Sequence, residues 1–216
     1  MVADSDGSPE HQNSRGGNLN SLAQETTAAA KRFIEAIAAD SPVDVGKEPP
    51  SGVEDAGVPR AMWVDAPENG VVVWQPLPFV VSHEEACARA GLPTTTPAVV
   101  TAHLRTGLSH YIRDASSPDV PMFMLCPMPS DDPLGPWARM VEGWRPLVRH
   151  GLHPFAEYED GWGPVCIDEH VGDVVWLDHK RLLFRREPDA WTYDELRRLS
   201  QPVAPTPPAF WDALIR

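Results

Sequence analysis

Two short apolar runs on either side of a tight turn constrain this chain more than anything else in it. In the first, Val165 and Ile167 alternate with Cys166 and Asp168; in the second, Val175 and Leu177 alternate with Val174, Trp176 and Asp178. A period of two belongs to a strand whose two faces meet different surroundings. Glu169, His170, Val171 and Gly172 lie between the runs, so two antiparallel strands joined by a short loop are the simplest solution. Just upstream, Gly161 and Gly163 flank Trp162. Glycine accepts backbone angles that other residues resist, which predicts a turn that sets a large ring at the entrance of the first strand.

The rest of the chain offers mainly helices. Ser82 with Glu85, and Thr192 with Glu195, have the spacing of capping boxes and predict helices over 82–90 and from 192 through Leu199. Val99, Val100, His103, Leu104, Leu108, Tyr111 and Ile112 follow a helical stripe behind Thr96-Pro97. Trp137, Met140, Val141, Trp144 and Val148 form a second stripe, behind Asp132-Pro133, which Pro146 should kink or split. A last short helix is expected over 209–215, after a proline-rich link at 202–208. Residues 60–64 and 70–74 are β-prone around the turn-forming Pro67-Glu-Asn-Gly70 and predict a hairpin, and 120–126 reads as a buried or edge strand.

Before residue 59 the character changes. Residues 1–20 are polar and almost devoid of aliphatics, which predicts disorder; 21–39 has the spacing of one amphipathic helix; 40–57 is a linker of proline, glycine and acids. The expectation is an acidic, disordered N-terminal tail or linker over 1–58 with one helix at 21–39, followed by a single α+β domain over 59–216, an antiparallel sheet with helices packed around it.

The formal net charge is −13, from 31 acids against 18 bases, and it is spread over both parts of the chain. Such a field opposes phosphate backbones and anionic lipid and favours basic partners, so neither nucleic acid nor a membrane is expected. Three widely spaced cysteines, Cys87, Cys126 and Cys166, suggest neither a disulfide framework nor a zinc ribbon. A cytoplasmic setting fits, since the N-terminus shows no secretory pattern and no apolar run nears the length of about 20 residues needed to span a bilayer.

The run Pro154-Phe-Ala156, Asp160-Gly-Trp-Gly163, Val165-Cys-Ile-Asp168 and Val174-Val-Trp-Leu-Asp-His179 resembles the SUKH superfamily. Its founding fungal member regulates cell-wall synthesis, and most of its bacterial members are immunity proteins that bind and block polymorphic toxins. The resemblance implies an α+β fold with an antiparallel sheet, and a partner-binding rather than catalytic role. It centres on 154–180. The family's N-terminal Asn-Gly turn has no secure counterpart, because Glu68-Asn-Gly70 falls between strands, so 59–130 is the part least bound to the family pattern.

Chemistry at this stretch admits two readings. Cys166, Asp168 and His170, with Asp178 or His179 across the hairpin, include zinc-type ligands and would suit a small metal-dependent hydrolase. The simpler reading makes Cys166 a core residue and Asp168 and His170 turn residues, since no ligand spacing such as H-E-x-x-H is present. No G-x-S-x-G elbow or phosphate-binding loop appears either, so no enzyme and no cofactor is expected. Seven acids and one base fall between Leu152 and Lys180. Trp162 and Trp176 as aromatic anchors, ringed by Asp168, Glu169, Asp173 and Asp178, would form a surface for a basic protein partner such as a toxin domain. A scaffold or regulatory protein of the same fold, without a toxin, is the alternative.

Overall fold

The computed structural model describes residues 10–38, 43–44, 58–65, 71–111, 114–117, 120–158, 163–183 and 191–215. The fold is α+β. Its central feature is an antiparallel sheet of six strands whose order in space is their order in sequence: β3 (Asp114–Ser117), β4 (Val120–Leu125), β5 (Leu152–Tyr158), β6 (Pro164–Asp168), β7 (Val174–Trp176) and β8 (Gln201–Ala204). The short strands β1 (Val43–Asp44) and β2 (Val71–Val72) pair separately.

The period of two seen in the sequence places β6 and β7 between two apolar layers. Val165, Ile167 and Val174 join the larger core, while Cys166, Val175 and Leu177 point to a smaller one on the opposite face. The partners run Val165 with Trp176, Cys166 with Val175 and Ile167 with Val174. Every residue of β6 is buried, because helices cover both faces.

On the larger side lie α1 (Glu10–Ala38), α2 (His83–Arg89), the 3-10 helix Ala98–Leu104, α3 (Gly135–Gly143) and α7 (Pro207–Leu214). The smaller core takes Leu147 from α4 (Arg145–Val148), Leu182 from α5 (His179–Leu183) and Leu196 from α6 (Tyr193–Leu199). Both capping boxes form as their spacing predicts. Pro146 does split its helix: α3 ends at Gly143 and α4 restarts at Arg145 with the proline in its first turn.

The helix expected at 21–39 runs from Glu10 to Ala38, into the stretch read as disordered. Ala23, Ala29, Ala30, Phe33 and Ile34 bury one face of it in the larger core against Ala98–Leu104 and α7, so this core draws on residues on both sides of residue 58. Once those packed turns nucleate the helix, propagation needs no apolar face of its own. Residues 1–9 and most of the 40–57 segment lie outside the described residues, as does the turn expected at 67–70.

The helix expected through Ile112 is corrected. Only Ala98–Leu104 is helical, and it is a tight 3-10 helix. Gly107 takes a φ of +81°, and the Thr106 hydroxyl both accepts from Leu108 N and donates to Leu108 O, which turns the chain out of helix. Leu108 and His110 then bridge to Pro78 and Met128 as extended residues. The hairpin at 60–74 reduces to a 3-10 turn at Arg60–Met62 and an antiparallel bridge between Trp63 and Trp74.

Prolines inside β5 and β8 concealed these two strands in the sequence. Pro154 sits inside β5 where its register against β6 shifts, and Pro202 sits in β8, the outermost strand; bulges and edges are where a sheet tolerates a missing donor. At the entrance of β6, Gly163 has a φ of +140°, and a Cβ there would fall 1.9 Å from the Leu177 carbonyl oxygen. Nothing larger than glycine fits so close an approach of backbone to backbone. Among the described residues no helix is long and apolar enough to cross a membrane.

Candidate functional site

Polar side chains converge at the end of the sheet where β6 runs into the 169–172 turn. Asp168 has no solvent exposure, yet it ends a strand and is fully engaged. Its Oδ1 accepts from the amides of His170 at 2.9 Å and Val171 at 3.3 Å, which folds the chain into the turn toward β7. Its Oδ2 accepts from the Tyr193 hydroxyl at 2.9 Å and lies 3.6 Å from Arg197 Nη1. Arg197 also donates to Asp173, at the start of β7. Burial, and then the hydrogen bond to the Asp168 carboxylate, push the Tyr193 phenol up to about 12.

Helix α6 delivers these partners because its capping box fixes where it starts. With Thr192 as N-cap, Tyr193 and Arg197 stand four residues apart on one face, over the end of β6. A second pair lies alongside: His153 of β5, 4% exposed, meets Glu169 at 2.8 Å, and that hydrogen bond holds the Glu169 carboxyl below its usual range. His170 is exposed, with its ring edge against Tyr193.

The expected site residues are thus placed as follows. Asp168 is interior, Asp173 is paired with Arg197, and Glu169 is paired with His153. Asp178 accepts from Lys180 N at 2.9 Å and so opens α5. Trp176 is partly buried, packs against the larger core and stacks on Tyr158 at 4.3 Å between centroids. Trp162 lies outside the described residues. The sequence does not single out the partners Tyr193 and Arg197, although the Thr192–Glu195 box carries the signal for both. It sets His153 near a helix end, where the structure instead places it in β5 against Glu169.

The metal reading is not met. Cys166 turns into the small apolar core with Leu147, Leu152 and Leu196, and burial, with Asp168 nearby, pushes its thiol well above the ordinary value. Asp168 spends its oxygens on the turn and α6, and His170 faces outward. Among the described residues no three His, Cys, Asp or Glu side chains are grouped to hold a metal ion.

A cleft of about 440 Å³ between the end of α2 and α3 is lined by Arg89, Gly91, Ala138, Arg139, Glu142 and Arg145. Arg89 donates to both oxygens of Asp132, and Arg145 donates to Glu142 and to the Ala90 and Gly91 carbonyls. These two guanidinium groups therefore join elements of the fold. The exposed counterpart of the polar cluster is the turn itself, where Val171 is 60% exposed between Glu169 and Gly172. No protein-family model matches the chain, and no curated protein matches it significantly.

Proposed function

We propose that this chain is a non-catalytic protein-binding domain of the SUKH type, an immunity protein that neutralises a bacterial toxin in the cytoplasm by covering its active surface. One observation carries the reading. The SUKH-like run at 154–180 supplies β5, β6 and β7, adjacent antiparallel strands at the middle of an α+β fold covered by helices on both faces. This is the arrangement that the resemblance implies. The internal engagement of Asp168, Asp173 and Glu169 supports binding over catalysis, since a general acid or base must be able to reach a substrate.

The partner-facing surface in this reading centres on the 169–171 turn at the end of the sheet. Val171 supplies apolar contact and Glu169 negative field at the turn, while Asp178 adds negative field from the other end of the hairpin, where Trp176 pairs with Val165. Asp168 and Asp173 hold the turn in shape. A basic toxin domain fits a chain of net charge −13.

Co-expression with a toxin encoded beside the gene is the direct experiment. Growth rescue and co-purification are expected, and failure of both overturns the immunity role. In the complex, Glu169→Gln with Asp178→Asn should slow association and lessen its salt dependence, leaving dissociation nearly unchanged. An unchanged salt slope moves the interface to another face.

A further inference from the structure

His103 lies in the 3-10 helix Ala98–Leu104 where that helix meets α3, β5 and α7. Its ring centre is 5.5 Å from Phe155, 6.1 Å from Trp137 and 6.3 Å from Trp211, on which it stacks at 20°. It is 5% exposed, and neither ring nitrogen has a hydrogen-bond partner in the protein. His110, 3% exposed, follows on the bridge to Met128, with its Nδ1 also unpartnered. The groups whose charge acts on His103 are His110 and Arg105, both positive when protonated; α3, β5 and α7 meet it with the rings of Trp137, Phe155 and Trp211. The same aromatic cluster ties in α1 through Phe33, 5.4 Å from Trp211.

A buried imidazole can stay neutral without partners at modest cost, but it cannot carry a charge there. We infer that His103 and His110 form an acid-operated release built into the fold: on taking up protons, the layer of α1, Ala98–Leu104 and α7 parts from the sheet while the Asp168 end stays closed.

Burial holds the His103 ring down to about 3 and the His110 ring down to about 4. The Val100 backbone pulls the other way at His103 and the Cys126 backbone at His110, and burial outweighs both. Both rings therefore titrate below the ordinary 6.5, so the open form binds protons that the closed form refuses. Their contribution to stability is complete above pH of about 6.5 and falls as the pH drops toward 4. At pH 5 each histidine multiplies the open-to-closed ratio by about 30, and the two together by about 1,000. His153 differs in geometry, because its Nε2 meets the Glu169 carboxylate at 2.8 Å.

Amide hydrogen exchange on the full chain, corrected for the pH dependence of intrinsic exchange, tests this directly. Between pH 7.5 and 5, protection of α1, Ala98–Leu104 and α7 should fall by about 1,000-fold, with that of β6 and β7 lagging well behind. His103→Leu should recover about 30-fold of the loss, and His103→Leu with His110→Leu nearly all of it. Loss of β6 and β7 in step with α1 and α7 would mean global acid unfolding and overturn the release. So would a double variant that opens at the same pH as the parent. Should the variants not fold, the ring carbon NMR signals of His103 and His110 in the unaltered chain decide: both must stay neutral while the layer is closed, and titration near 6.5 refutes the inference.

Discussion

Asp168 and His103 are both polar residues in the interior, on opposite faces of one sheet, and they are buried in opposite ways. Asp168 is met by two amides, a phenol and a guanidinium, so its burial fixes the 169–172 turn, the start of β7 and the seat of α6 together. The His103 ring packs among the rings of Trp137, Phe155 and Trp211 with no hydrogen-bond partner on either nitrogen. A saturated polar group specifies geometry and is costly to remove. An unsatisfied but neutral one specifies little at neutral pH, and its effect waits for a proton. The difference teaches that burial alone does not rank the importance of a polar residue; the count of its partners does.

The contrast is sharpest at Asp168. Asp168→Ala leaves Tyr193 and two amides without their acceptor and takes one of two carboxylates from Arg197, and should destabilise the fold by about 3–5 kcal/mol in urea unfolding. A loss below about 1 kcal/mol would break the comparison. Gly163→Ala, at the other end of the same strand, separates polar from steric constraint. Its Cβ collides with backbone rather than side chain, so the loss should be about 3 kcal/mol with no dependence on pH between 5 and 8. Tyr193→Phe removes one hydrogen bond to a charged group and should cost about 1.5–2 kcal/mol by the same assay. The smallest change is expected at His103: His103→Leu at pH 7.5 exchanges an unpartnered ring for an apolar side chain and should move stability by less than about 1 kcal/mol either way. A loss as large as that of Asp168→Ala would show that the ring has a partner after all.

The middle of the sheet was legible because β6 and β7 advertise themselves by period and β6 ends in a turn-forming aspartate. The capped helices were legible because a capping box is local chemistry. What stayed hidden depended on long-range context. Pro154 and Pro202 argue against strands unless the bulge and the edge are already known. The 99–112 stripe mimicked a helix because non-helical residues such as Leu108 and Tyr111 also pack against the core, and only the left-handed Gly107 breaks the pattern. At the site, the acids were visible as a cluster but their partners were not. Arg197 lies 24 residues from Asp173, a separation that no local pattern spans.

The three cysteines, buried on different elements, give the molecule built-in clocks. Cys87 in α2 and Cys126 beyond β4 belong to the larger core, and Cys166 in β6 to the smaller one. Burial keeps all three thiols protonated and out of reach of alkylating reagents, so each reacts only as fast as its own surroundings open. Two faces of one sheet thereby report separately on when they come apart.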